Sequence, residues 1–482
     1  MSDSISNDDA VNGVRVVADE LKNFVILSSN GQLDLPGVST SQNVQRIVQA
    51  AVDGKPENGL VLYFHGGLTS RAAGPNNATL LKNSYYVEAA TYPVFFVWES
   101  GFGETLDDLL QKMLTQIAGE KLFQSLRKWL PHWVKSHPEH PLSEEAAGYV
   151  LRRDGLEEQI RADIASDPEF QNALREVFQV ASGTQLGFQT NVAVLPDKAA
   201  LEQMFGPADV SFTSESAWNN VKTWHYFAGI VVNLLRRIAH HRTHGTEPTV
   251  VEEILSAVYL NSVGADIWKQ MKDATANAFG SESRAGTTLL ETLSDHASSG
   301  KAFEKVTLIG HSAGAIYISN FIKNASKILP NLTYDVIFLA PAIRHDEFAT
   351  MLGSHQQAVR NFRMFSMSDA YETEDHLVND VYVRSLLYFI AGVLEKDELE
   401  DMPLLGMQRY LNDTGTFNGS EFPAVDTDRR FLTAVPNRTA WSVSPTNAPE
   451  GLRTAARQHG GFALEAETKA SIVYILKEGF GS

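Results

Sequence analysis

One short stretch constrains this chain more than any other. Val306-Thr307-Leu308-Ile309 runs without a break into Gly310-His311-Ser312-Ala313-Gly314 and on into Ala315-Ile316-Tyr317-Ile318. The first four residues suit a strand buried on both faces and the last four suit a helix, so the five between them are expected to form the turn. A serine on so sharp a turn is held in a backbone conformation where side chains two positions away would collide, which is why glycine stands at both flanks. The strain lifts the hydroxyl clear of the chain, and the helix N-terminus behind it directs partial positive charge at the group under attack. Five letters alone can arise by chance or mark a structural turn; the strand before and the helix after favour a nucleophile.

A hydroxyl at its free pKa attacks poorly, so a base must take its proton and an acid must orient that base. Where a serine sits on such an elbow, its partners follow it in the order acid, then histidine. The downstream histidines are His345, His355, His376 and His459. His459, followed by Gly460-Gly461-Phe462 and lying before the last helical stretch, occupies a loop from which a ring can reach back to the serine. The competing reading is a surface loop histidine. For the acid, Phe362 to Ser368 reads as a strand with Asp369 at its carboxyl end, where the catalytic groups of parallel sheets collect. Asp375 is the alternative, and a helix cap is the bland reading of either.

Acyl transfer also needs N–H donors where negative charge grows on the carbonyl oxygen. Ala313, immediately after the serine, offers one. The loop after Leu60 to Phe64, His65-Gly66-Gly67-Leu68, offers a second through Gly67 or Leu68.

Taken together, Tyr63-Phe64-His65-Gly66-Gly67, the elbow around Ser312, Asp369 after a strand, and His459-Gly460-Gly461-Phe462 resemble the α/β-hydrolase superfamily in its esterase and lipase-like branch. The resemblance spans residues 1–104 and 300–482. It implies an α/β-hydrolase fold with an eight-stranded, mostly parallel sheet flanked by helices, a Ser312–His459–Asp369 triad, an oxyanion hole from Gly67, Leu68 and Ala313, and no cofactor or metal. The expected reaction is hydrolysis of a carboxylic ester, of a small molecule or a lipid, through an acyl-enzyme. Two alternatives stand beside it: a hydrolase-like scaffold that only binds a ligand or protein, and an acyltransferase using the same triad.

The rest of the chain fits an α/β architecture. Short apolar runs at Val14–Val17, Phe24–Leu27, Leu60–Phe64, Val94–Trp98, Val306–Ile309, Val336–Leu339, Phe362–Phe365 and Ala440–Val443 read as strands, alternating with stretches of helical period such as Ala315–Lys323 and Glu465–Lys477. Residues 105–299 are far too many for a strand-to-helix connection and are expected to form a helical cap or lid. Its expected helices are Thr105–Leu130, Glu144–Ile164, Trp224–His241 and Val251–Phe279. Its aromatic residues Trp218, Trp224, Phe227, Trp268 and Phe279 read as core or as the lining of an acyl groove. A loop-rich interval is expected from Asp397 to Asn437.

Composition excludes several other classes. A formal charge of −18 repels phosphate backbones, so nucleic acid is a poor partner. With no cysteine there is no disulfide, thiolate ligand or Cys nucleophile. No apolar run approaches the ~20 residues of a membrane-spanning helix, and Met1–Ala10 lacks the pattern of a secretory signal, so a cytoplasmic location is expected. No dinucleotide or phosphate-loop glycine pattern follows a strand. Arg236, Arg237, His240, His241, Arg242 and His244 read as a solvated basic helix end rather than a metal site, and Glu395–Asp401 as a solvated acidic surface.

Overall fold

The computed structural model describes residues 21–33, 39–67, 69, 73–99, 162–163, 166–168, 221–256, 265–281, 283–378, 382–396 and 400–481. The chain divides into two compact units: Met1–Glu104 with Ile267–Asp375 and Pro403–Ser482, and Thr105–Asp266 with His376–Met402. The strand expected at Val14–Val17 and the helices expected at Thr105–Leu130 and Glu144–Ile164 lie outside the described residues, but for a few positions at the end of the latter.

The first unit is an α/β fold built on one sheet. Its strands are β1 (Val25–Ser29), β2 (Gln32–Leu33), β3 (Leu60–Phe64), β4 (Tyr92–Glu99), β5 (Val306–His311), β6 (Tyr334–Leu339), β7 (Val359–Met367) and β8 (Thr439–Ser442). They lie in the order β2-β1-β4-β3-β5-β6-β7-β8. Every neighbouring pair is parallel except the β1–β2 hairpin. That hairpin turns through Asn30 (φ 46°) and Gly31 (φ 75°), the left-handed pair that matches the twist of its strands. The inner strands β3 and β6 are buried along their whole length, which is why they read as continuous apolar runs rather than alternating ones.

Helices cover the sheet through apolar stripes at helical spacing. Ser41–Gly54 buries Val44, Ile47, Val48 and Ala51, and its Thr40 cap accepts the Asn43 N–H. Ala285–Ser298 buries Leu289, Leu290 and Leu293 and packs against Ser41–Gly54. Gly314–Ile328 follows β5 directly; the Tyr317 ring stacks on Phe64, with centroids 4.7 Å apart, and holds that helix to the centre of the sheet. Phe279 packs edge-on to Tyr317 and Phe321, and Trp268 is also buried, so both are core residues. Trp218 and the side chains of Trp224 and Phe227 lie outside the described residues.

The interval expected to be loop contains a twelve-residue helix, Pro423–Ala434. Proline at its start removes an N–H that needs no partner there, and Val425, Asp428, Phe431 and Leu432 form its buried stripe. Only four of twelve positions carry that stripe, and the neighbouring glycines and prolines obscure it.

The stretch expected as one helix from Val251 to Phe279 is helical within Thr246–Leu255 and Ala265–Asn277, and residues 257–264 between them lie outside the described residues. Val221–Ala239 precedes them. Within the basic cluster Arg237, Arg242 and His244 are buried, as are Glu395 and Asp401 of the acidic run, while His240 and His241 are exposed as expected. Arg237 is fully buried, with its guanidinium 2.7 Å from Glu252 and 3.1 Å from Glu253. Arg242 bonds Asp401 through Nε at 2.5 Å and Glu400 through Nη1 at 2.6 Å. His244 places Nδ1 2.8 Å from Glu252 and Nε2 3.1 Å from Asp401. Lys396 meets Glu253 at 2.6 Å, so Arg237, Arg242, His244 and Lys396 face the carboxylates Glu252, Glu253, Glu400 and Asp401. Burial alone would raise the Glu252 carboxyl, but His244 and Arg237 beside it hold it at about 2. Each run looked solvated because its partners stand up to 160 positions away in the chain.

Among the described residues no helix is long and apolar enough to cross a membrane.

Candidate active site

The sheet order places the crevice. β3 connects to β4 on one side and its neighbour β5 connects to β6 on the other, so the connections from these two adjacent strands leave in opposite directions. In open α/β sheets ligands bind outside the carboxyl ends of strands at such a switch point. The carboxyl ends of β3 and β5 carry His65-Gly66-Gly67 and Gly310–Gly314, and the two strands are in register there, Phe64 opposite Gly310.

Ser312 has φ 53°, the left-handed region that costs an L-residue roughly 1–2 kcal/mol. Neighbouring backbone holds it there: its N–H donates to the Leu339 carbonyl at 2.8 Å, and its carbonyl accepts the N–H groups of Ala315 and Ala342, each at 3.1 Å. Strain of this kind persists only where the surroundings over-determine it. The flanking glycines are sterically required. A Cβ on Gly310 would lie 2.8 Å from the Gly314 carbonyl carbon and oxygen, and one on Gly314 would overlap the Phe64 carbonyl oxygen. Gly66, just after β3, is less tightly enclosed: a Cβ there would sit 3.2 Å from Ser312 Cβ and 3.4 Å from His311 Nδ1.

His65 fixes the turn that carries Gly66 and Gly67. Its Nδ1–H donates to the Gly66 carbonyl at 2.7 Å, its Nε2 accepts the Trp98 N–H at 3.1 Å, and its ring stacks on the Trp98 indole. Burial, opposed by the Gly66 bond and reinforced by His311, pushes its pKa down to about 4. Gly67 is buried on this turn; Leu68 lies outside the described residues. Ala313 is buried and caps Gly314–Ile328, so its N–H belongs to the helix end that has no intrahelical acceptor.

His459 opens a short 3-10 turn, His459–Gly461, after β8. Its ring is buried and stacks on His311 at 5.4 Å. Its carbonyl accepts the His311 Nε2–H at 2.9 Å, and its N–H donates to Asp375 Oδ2 at 3.0 Å. Burial, and then His311, push the ring's pKa well below the usual histidine value, so it is neutral at pH 7. Neither ring nitrogen has a hydrogen-bond partner among the described residues. Pairwise contacts thus link Gly66 to Ser312 and His311, His311 to His459, and the His459 backbone to Asp375, while the His459 ring bonds neither a serine hydroxyl nor a carboxylate among the described residues. Asp369 starts the helix Asp369–Glu374, six residues before Asp375, and its N–H donates to Gln408 Oε1. His345 is engaged elsewhere, buried against Asp428 at 2.8 Å.

Compared with known protein families, curated proteins and solved structures, the chain matches none. The functional reading therefore rests on the site itself. Sequence reading passed over His311 because the residue before a nucleophile has no assigned role in the motif, and its only signal was its place inside the pentapeptide. No group of three or more His, Asp or Glu among the described residues is placed to hold a metal ion.

Proposed function

We propose that this chain is a serine hydrolase of α/β-hydrolase type that cleaves a carboxylic ester, with Ser312 as nucleophile and His459 as base. The observation that carries the reading is the left-handed backbone of Ser312, held between two glycines where an added Cβ would press on backbone, at the sheet's switch point and at a helix N-terminus. A strained serine costs stability everywhere and is useful where a hydroxyl must be presented.

In the reaction, neutral His459 Nε2 comes within hydrogen-bond reach of Ser312 Oγ, about 2.6–3.2 Å, and takes its proton as oxygen attacks the acyl carbon. The Ala313 N–H and an N–H of the Gly67–Leu68 turn hold the negative oxygen. The protonated ring then gives its proton to the leaving alcohol, and an acyl-serine remains. Water, deprotonated by the same ring, releases the carboxylic acid and restores the serine. Asp375, already bonded to the His459 backbone, is the carboxylate better placed to orient the base; Asp369 is the alternative from the same helix.

Labelling by a fluorophosphonate tests the reading: wild type takes one label, and Ser312→Ala and His459→Ala take none. A folded wild type that takes no label refutes it. The hydrogen bonds not made to the His459 ring favour a second reading, a scaffold that binds a ligand without chemistry, which predicts that result.

A further inference from the structure

Resting on the hydrolase reading, we propose that His311 is a positioning residue that ties the loop of the base to the elbow of the nucleophile. It is joined to Ser312 by one peptide bond, so whatever it grips is held relative to Ser312. It grips His459 twice, through Nε2–H on the His459 carbonyl and through ring stacking at 5.4 Å and 28°.

The His459 backbone is thereby held at both ends, its N–H by Asp375 and its carbonyl by His311. Its ring, in contrast, has both nitrogens free of partners among the described residues. Such an arrangement fixes where the base sits and leaves the ring able to rotate toward a hydroxyl and exchange a proton. The grip requires a particular tautomer: donation from Nε2 leaves the His311 lone pair on Nδ1, facing Gly66.

The charge states agree. Burial lowers the His311 pKa despite its bond to the His459 carbonyl. The groups facing it are neutral His65 from the β3 turn and neutral His459, with the Asp375 carboxylate on the far side of the His459 backbone. A neutral His311 lets its stacked neighbour accept a proton during turnover; a charged one opposes it.

The test compares His311→Leu, which keeps bulk and loses the donor, with His311→Gln, whose side-chain amide can reach the same carbonyl. Two readouts apply, the rate of fluorophosphonate labelling against pH and amide hydrogen exchange over residues 458–462. His311→Leu is expected to slow labelling at pH 8 by about tenfold and to speed loop exchange by about tenfold, the loss of one hydrogen bond. His311→Gln is expected to return both to within about threefold of wild type. In both variants the acid limb of the profile moves to higher pH, because a neighbour that depresses the His459 pKa is gone. The proposal is overturned if His311→Leu exchanges and labels like wild type, or if His311→Gln is as impaired as His311→Leu. If wild type itself takes no label, the hydrolase reading fails, and the exchange data still decide whether His311 holds the loop.

Discussion

Replacing Gly310 by alanine adds one methyl group at the most crowded point of the elbow. The new Cβ would stand 2.8 Å from the carbonyl carbon and oxygen of Gly314 and 2.8 Å from Ile318 Cδ1, where ordinary contacts begin at 3.4 Å. Each contact is about 0.6 Å too short. The isoleucine methyl can rotate away, but Gly314 is backbone at the start of a helix whose own Cβ position is closed off by Phe64. The strand cannot retreat either, since β5 is paired on both sides, to β3 and to β6. Overpacking against such a frame costs about 1–3 kcal/mol. The displacement falls on the segment carrying Ser312, and because a misplacement of about 1 Å can cost about a hundredfold in rate, a shift of half that is expected to slow labelling about tenfold. Urea unfolding and labelling rate measure the two effects on one sample. Gly353→Ala, in the helix His345–His355 with nothing within 4 Å of the added methyl, is the control and should gain up to about 1 kcal/mol. Gly310→Ala matching wild type in both midpoint and labelling rate would refute the steric argument for the elbow.

Further outcomes follow from the same geometry. Ser312→Gly removes the left-handed penalty and should stabilise the fold by up to about 1 kcal/mol while abolishing the label; a loss of stability would show that Ser312 is not strained. His65 has a folded pKa of about 4 against 6.5 unfolded, so above pH 6.5 it is neutral in both states. Between those values the unfolded chain binds a proton that the folded one refuses, and stability falls by about 1.4 kcal/mol per pH unit, about 3 kcal/mol in all. His65→Gln should therefore lessen the pH dependence of stability by one proton over that range, read from urea midpoints at pH 4.5 to 7; an unchanged slope contradicts the burial of a neutral ring. In the second unit, Glu252→Gln leaves Arg237 and His244 short of a buried counter-charge and should cost about 3–5 kcal/mol by urea unfolding. A near-neutral result would mean that water reaches this network. Asp375→Asn is expected to lower the labelling rate more than Asp369→Asn does, since Asp375 alone of the two is bonded to the His459 backbone N–H.

Apart from the two-residue β2, the described strands were legible because each is a short apolar run whose character depends on its own residues. Leu60–Phe64 was located to the residue, and β5 and β6 to within two positions at either end. The elbow was legible for the same reason: strand, Gly-x-Ser-x-Gly and helix are contiguous, and the steric demand on both glycines acts over four residues. The helix Pro423–Ala434 was not, because its sparse stripe is surrounded by turn-forming residues. Nor was the burial of Arg237, Arg242 and His244, since charged residues read locally as solvated and only a distant counter-charge reverses that.

Chain order could predict that an acid and a histidine follow Ser312, yet not which carboxylate reaches His459. The choice between Asp369 and Asp375 turns on how the helix that begins at Asp369 meets a loop 84 residues further on from Asp375. Similarly, the grip of His311 on His459 spans 148 positions. What this sequence determined by itself was local: where the chain extends, where it coils, and where it must turn through a strained serine. What the tertiary structure alone decided was which distant polar groups share a buried space. Backbone sterics and apolar periodicity act within a few residues, whereas the partner of a buried charge or imidazole is set only when distant parts of the chain close on one another.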